Sequence, residues 1–369
     1  MDRIRDLFRQ KDVREEYSPI VEDDNPMEGT ALLEDDGEGV PFSWFEYSIF
    51  ALLGMAMLWA WNMFLAAAPY FQLRFQSDVW ITQNFQSAIL TVSTITNLGA
   101  MLVLTNMQAA ASYPFRINLA LTINVVIFML LTASTSIFLD ASPALYLTFL
   151  LTMVAATALA ARPHPERRLR LRRLLHISTV GGHPRKTVSP LTLLGKLHWL
   201  SAAVALCFAV SMFFPVFTGK ILSVRTTDDG AAGSGSGSLF RPAAFIPLAF
   251  FVWNAGDLAG RMATALPFSL RSRPPLLLAL AVARLVWLPL YLLCNVNGRG
   301  AVVASDLFYL VVVQFPFGLT NGWLGASCMM AGSEWVDEGE REVAGGFMGL
   351  CLVTGLTVGS ILSFTVAGI

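Results

Sequence analysis

Asp257 and Arg261 stand four residues apart in the run Phe250-Phe-Val-Trp-Asn254-Ala-Gly-Asp257-Leu-Ala-Gly-Arg261. On a helix this spacing puts a carboxylate and a guanidinium on one face, a single turn apart. Asn254, three residues earlier, shares that face. The surrounding residues are apolar, and an isolated charge in hydrocarbon is costly enough that the pair is expected to look into the protein interior. Two readings follow: a structural or gating ion pair, or a pair that exchanges hydrogen bonds with a polar ligand.

Other residues invite the same question. Trp61 and Asn62 lie in the middle of the first apolar run. An aromatic beside an amide can stack on a planar ring while the amide bonds its edge, or it can simply pack. Arg284 follows a short polar connection, and a base so near the end of an apolar run either snorkels to the interface or reaches an acid in the bundle; it reads mainly as structural. No Walker loop, HExxH, GxSxG or strand-borne GxGxxG is present. Cys207, Cys294, Cys328 and Cys351 sit in apolar blocks without CxxC spacing and read as small packing residues, while the four histidines fall in or beside one basic segment. No metal, no cofactor and no enzymatic activity is therefore expected.

The elements that must carry these residues are helices in a membrane. Of 369 residues, 55% are hydrophobic and 14% charged, and the mean hydropathy is +0.58. A soluble domain has about 25% charged residues. The apolar residues come in blocks long enough to cross hydrocarbon, near 44–69, 80–108, 115–139, 143–161, 193–216, 243–266, 275–295, 302–331 and 342–366. The fold class expected is all-α, a polytopic membrane bundle of about nine spans. Pro316 should kink or tilt the long span at 302–331. Gly345/Gly349 and Gly355/Gly359 are small-xxx-small pairs that let helices approach closely.

Charge orients the bundle. Residues 162–173 hold six arginines and one acid, and Arg185, Lys186 and Lys196 extend the basic stretch. This loop belongs in the cytoplasm, and Arg271 and Arg273 fall on the same side. The arginine run reads first as a topology determinant and second as an amphipathic helix on anionic membrane lipid; nucleic acid is disfavoured because no aromatic interleaves the bases. The organisation expected is a polar, acidic, disordered cytoplasmic tail over 1–43, four spans over 44–161, the basic loop over 162–192, and five spans over 193–366. A flexible loop at 217–242 would lie on the lumenal or outer side, with the C-terminus. Within the tail, Glu28 followed by Leu32 and Leu33 is similar to acidic dileucine signals that sorting adaptors read for vacuoles or lysosomes.

Taken in order, several segments resemble the equilibrative nucleoside transporters. Ala60-Trp61-Asn62 is similar to that family's Pro-Trp-Asn motif, Asn254-Ala-Gly-Asp257-Leu-Ala-Gly-Arg261 to its Asn-x-x-Asp-x-x-Gly-Arg signature, and Ala283–Asn295 to its ninth helix. Thr320-Asn321-Gly322-Trp323-Leu324 resembles its Ser-Asn-Gly-Tyr-Leu motif, and Gly355-Leu-Thr-Val-Gly359-Ser360 its eleventh helix. The residues after Phe213-Phe-Pro215 are similar to fungal vacuolar members. The resemblance implies a fold similar to the major facilitator bundle and facilitative transport of nucleosides by alternating access. It implies that Trp61 and Asn62 line the substrate site, with Phe250, Asn254, Asp257 and Arg261 facing it from the other half, and that Arg284 and Asn321 are structural or gating. It implies a vacuolar or lysosome-like membrane rather than the plasma membrane.

The chain departs from the family in one respect. The family has six spans before its large cytoplasmic loop, whereas here part of the fourth and the fifth and sixth are missing. Losing two helices preserves the inside–outside parity. A truncated, transport-inactive relative and a carrier of another small polar solute are the competing readings.

Overall fold

A computed structural model describes residues 48, 62–106, 113–160, 188–225, 238–267 and 269–369. The tail, with Glu28, Leu32 and Leu33, lies outside them, as do Trp61, the arginine run and residues 226–237. The described helices are α1 (Ala68–Arg74), α2 (Val79–Asn106), α3 (Tyr113–Ile137), α4 (Pro143–Ala160), α5 (Pro190–Ser211), α6 (Phe213–Thr218), α7 (Pro242–Ala263), α8 (Pro274–Ala283), α9 (Trp287–Tyr291), α10 (Phe315–Glu334) and α11 (Arg341–Leu362). Residues 62–66 are helical and lead into α1. Among the described residues there is no β-strand, only an isolated bridge from Ile221 to Val296.

Five stretches are long and apolar enough to cross a membrane: Val79–Leu102, Pro190–Thr218, Pro242–Ala263, Pro274–Tyr291 and Glu338–Val366. Leu121–Ile137 and Pro143–Leu159 are shorter apolar helices. The chain is an all-α, multi-pass integral membrane protein. Prolines open α4, α5, α7 and α8, where a missing N–H costs nothing and the fixed φ suits a first helical turn. Ser189 also caps α5, its side chain accepting from the Leu191 amide. The expected irregularity near Pro316 is a π-helical turn over Phe308–Gln314, just before α10. A proline there leaves a carbonyl of the preceding turn without its usual partner, and π turns absorb such mismatches.

Helices α7 and α10 meet backbone to backbone. A Cβ on Gly256 would lie 2.3 Å from the Phe315 carbonyl oxygen, and one on Gly260 would lie 2.0 Å from that of Leu319. Reciprocally, Gly318 faces the Trp253 oxygen at 2.1 Å and Gly322 the Asp257 oxygen at 1.8 Å. Four interlocked glycines therefore set this helix pair closer than any side chain permits. The expected Gly355/Gly359 pair forms a second such seam, its Cβ positions lying 2.1 and 2.2 Å from the carbonyl oxygens of Ala205 and Ala209 on α5. Among the described residues Gly345 has nothing within 4 Å and Gly349 meets only the Met101 side chain of α2, so that half of the sequence pattern meets no facing backbone.

At the end of the bundle where α5 begins and α10 finishes, Lys196 pairs with Glu340 at 2.7 Å and Arg271 pairs with Glu334. At the opposite end, the loop after α6 is tied to the loop after α9. The Leu222 amide donates to Asn295 O, and Asp306 accepts from Ser223 Oγ at 2.7 Å and from the Val224 amide at 2.9 Å.

Candidate functional site

The glycine seam positions the charged pair. At about 100° per residue, Gly256 and Gly260 point to α10 while the exposed residues Phe251, Leu258 and Met262 form the opposite stripe of α7. Asn254, Asp257 and Arg261 fall on the flank between these two faces. Asp257 is thus fixed by its backbone, since its own carbonyl oxygen is what Gly322 packs against.

Both carboxylate oxygens of Asp257 are engaged. Arg261 Nε donates to Oδ2 at 2.7 Å, and Asn321 Nδ2 donates to Oδ1 at 2.7 Å. The two donors differ in freedom. The Arg261 side chain is 51% exposed and that of Asp257 15%. Asn321 is buried, 2% exposed. Its Oδ1 accepts from Ser211 Oγ at 2.6 Å and from the Cys207 thiol at 3.5 Å.

Behind Asn321 stands Arg284, only 3% exposed. Its guanidinium does not snorkel. It donates to Cys207 O at 2.6 Å, Cys207 Sγ at 2.9 Å, Ser211 Oγ at 3.3 Å, Phe317 O at 3.4 Å and Thr320 Oγ1 at 3.3 Å, and it lies 4.9 Å from the centroid of the Phe317 ring. A buried cation is tolerable when its donors are satisfied in this way. The acid it approaches is Asp257, reached through Asn321 rather than directly. One polar chain thus runs Arg261, Asp257, Asn321, Ser211 and Cys207, Arg284. It has a fixed inner end and an accessible outer end.

The first helix joins at Asn254. Asn254 Nδ2 donates to Asn62 Oδ1 at 3.1 Å and to its own helix at Phe250 O, 2.8 Å. Asn62, Asn254, Asp257, Arg261, Asn321 and Arg284 are therefore brought together. Phe250 lends them its carbonyl oxygen, through Asn254, while its ring is buried in an apolar cluster, edge-on to Phe214 at 5.2 Å. The aromatic next to the polar stripe is Trp253, stacked on Phe214 at 4.2 Å with an interplanar angle of 9°. Its Nε1 is buried and has no hydrogen-bond partner among the described residues. The sequence reading gives no site role to Trp253, Phe214 or Ser211 and takes Cys207 for a packing residue, whereas its carbonyl and thiol belong to the polar chain; only the adjacency of Trp253 to Asn254 is a signal in the sequence.

Chemically, the site offers hydrogen bonds and a dipole of fixed direction. The Nη groups of Arg261 make no hydrogen bond among the described residues, so the accessible end can donate to a ligand oxygen while Nε holds Asp257.

The model of the family described as "Nucleoside transporter" matches residues 61–367, most of the chain. The chain belongs to the nucleoside transporter family. Among its relatives are the nucleoside transporter FUN26 of Saccharomyces cerevisiae, 32% identical over 184 residues that make up 47% of this chain and 33% of the relative. Equilibrative nucleoside transporter 1 of Homo sapiens is 32% identical over 165 residues, 44% of this chain and 35% of the relative. Adenosine transporter 1 of Crithidia fasciculata is 28% identical over 186 residues, 48% and 33%. The chain thus spans about a third of the length of the nucleoside transporters it matches.

Proposed function

We propose that this chain is a facilitative nucleoside carrier and that its substrate binds between the first helix and α7. The observation that supports this reading is the contact of Asn62 with Asn254, one turn along α7 from the Asp257–Arg261 pair. Membership of a family of transporters, and the names of its relatives, support the substrate class. A nucleoside brings a planar base and vicinal hydroxyls, which suit an aromatic and a carboxylate–guanidinium pair respectively. Trp61 and Asn62 then serve the base, Asn254, Asp257 and Arg261 the ribose, and Phe250 backs them from the apolar cluster. Arg284 and Asn321 hold Asp257 in place.

On this reading the N-terminus is cytoplasmic and the C-terminus lumenal. The chain resides in a vacuolar or lysosome-like membrane, to which an adaptor sorts it through Glu28, Leu32 and Leu33. The test is uptake of labelled adenosine or uridine into proteoliposomes holding the purified full chain. Saturable uptake down the concentration gradient is expected, with Asp257→Ala reducing it to the level of empty vesicles while the protein still elutes as a single species. Uptake by Asp257→Ala equal to that of the parent would refute the site.

A second reading, a transport-inactive relative that acts through a full-length partner, is supported by one observation: the matched stretch covers only about a third of the length of the nucleoside transporters it resembles. That reading predicts no uptake by the parent chain and its recovery in complex with a longer family member.

A further inference from the structure

Ser211 is the last residue of α5 and is 2% exposed. Its Oγ lies 2.6 Å from Asn321 Oδ1, 2.8 Å from Cys207 O and 3.3 Å from Arg284 Nη2. A hydroxyl has one proton and two lone pairs. A guanidinium only donates, and the two carbonyl oxygens only accept. Arg284 therefore takes a lone pair of Ser211, and the single Ser211 proton has two acceptors to choose between.

The two acceptors are not equivalent. Cys207 O already accepts from Arg284 Nη1 at 2.6 Å, and it is the carbonyl one turn back in the same helix. Asn321 Oδ1 has, besides Ser211, only the Cys207 thiol at 3.5 Å, a weak donor. The carboxamide cannot turn over to escape this. Its Nδ2 is on Asp257 Oδ1 at 2.7 Å, and a reversed amide would set oxygen against carboxylate. A buried acceptor left without a good donor is costly, so the Ser211 proton belongs on Asn321 Oδ1. Every bond in the chain then points one way, from Arg284 to Ser211, to Asn321, to Asp257. Arg284 and Asn321 are as buried as Ser211, at 3% and 2% exposed, and buried bonds in series strengthen one another.

We propose that Ser211 is a positioning residue for Asp257. Its hydroxyl, turned by Arg284, donates to Asn321 Oδ1 and so keeps Asn321 Nδ2 on Asp257 Oδ1. The second carboxylate oxygen is left to Arg261, whose Nε holds it at 2.7 Å. Ser211 meets no substrate and acts only through Asn321. What Asp257 does with a substrate rests on the carrier reading above; the direction of the hydrogen bonds does not. A serine near a helix end often bonds only its own preceding turn. A hydroxyl of that kind would have no influence on Asp257, and this difference is what the experiment reads.

The first measurement needs no transport: thermal unfolding of the full chain in detergent micelles. Ser211→Ala is expected to lower the melting temperature by several degrees in the parent and by less than half as much in Asp257→Ala, where Asn321 is free to turn. In an Asn321→Leu background the two changes should add, since the link between them is gone. Ser211→Thr keeps the hydroxyl and should melt close to the parent, while Ser211→Cys, of similar size with a weaker donor, should fall between parent and alanine variant. The second measurement is uridine uptake into proteoliposomes. Ser211→Ala should raise KM by about tenfold with the maximal rate per folded protein little changed, the consequence of losing about one hydrogen bond's worth of positioning, and Ser211→Thr should restore it. Additive losses of Ser211→Ala and Asp257→Ala in the chain that retains Asn321 would overturn the proposal, as would an unchanged KM in an active carrier. A parent that takes up no nucleoside, but shows the coupling in melting, would sink the carrier reading and leave Ser211 in its assigned place.

Discussion

Two seams in this molecule are built from opposite materials. Between α7 and α10, glycines bring main chain against main chain, with no side chain between. Between α2 and α11, contact is made by hydroxyls: Thr94 Oγ1 with Ser360 Oγ at 2.8 Å, Ser363 Oγ donating to Ser87 Oγ at 2.9 Å, and Thr357 Oγ1 to Thr94 O at 3.3 Å. Four of these five hydroxyls, all but that of Ser87, have a second partner on their own side of the seam. Thr94 Oγ1 also reaches Leu90 O, Thr357 Oγ1 reaches Val353 O, Ser360 Oγ reaches Thr357 O and Ser363 Oγ reaches Ser360 O. A hydroxyl that falls back on its own turn loses little when its cross-helix partner leaves. A glycine seam has no such fallback, because sliding drives a carbonyl into the space of the facing backbone. The lesson is that Asp257 rides on a rigid helix pair, while the contact between the N-terminal and C-terminal helices can part at small cost. The carrier proposed above needs both properties.

The sharpest way to break this contrast is Gly322→Ala. Its Cβ would lie 1.8 Å from the Asp257 carbonyl oxygen and 2.7 Å from the Asp257 carbonyl carbon, with no flexible side chain to give way. The helices must separate along the whole seam, and overpacking of this kind costs about 3 kcal/mol or more. We expect the variant to lose its single folded peak in size-exclusion chromatography, or to unfold at a much lower temperature in micelles. A variant as stable as the parent would show that the seam is looser than its geometry states.

How legible was this from the residues alone? The charged pair was, because Asp257 and Arg261 are rare in apolar surroundings and their spacing fixes a common face. Arg284 was read as a base near a span's end. Its burial was not visible, since the groups that satisfy it, Cys207, Ser211, Phe317 and Thr320, come from two other helices and carry no charge. The glycines show the same limit from another side. Gly345/Gly349 and Gly355/Gly359 have identical spacing, yet only the second pair meets a backbone. Spacing says which glycines share a face, but not whether another helix lies across from it. The seam that positions the site, Gly256 and Gly260 against Gly318 and Gly322, is not legible in the sequence: three of these glycines fall inside the family motifs and Gly318 in none, and no spacing within one helix says which residue of the other it faces. Helical content and apolar blocks, by contrast, follow from composition, since hydrocarbon leaves a lone segment only one way to satisfy its backbone.

The hydroxyl seam predicts a smaller effect. Thr94→Ala and Ser360→Ala each remove one side of a hydrogen bond whose other side retains a partner in its own helix. A cost of about 0.5–1.5 kcal/mol is expected for each. In a double-mutant cycle the second change should add little to the first, because the two hydroxyls share one bond. Thermal unfolding of the single and double variants measures this. A coupling as large as the loss expected for Gly322→Ala would mean that this contact, too, is rigid, and the contrast between the seams would fail.

Gly345→Ala should move stability in the opposite direction. Gly345 lies in the first turns of α11 with nothing within 4 Å of a Cβ, so an added methyl meets no neighbour. What changes is the unfolded chain, which loses freedom that glycine alone has, and the helix gains up to about 1 kcal/mol. Gly322→Ala and Gly345→Ala are the same chemical change in two helices of one bundle. Opposite signs in a single melting experiment would isolate the one variable that differs between them, the presence of a facing backbone. If Gly345→Ala instead destabilised the protein by an amount comparable to Gly322→Ala, a helix would have to stand against that face of α11.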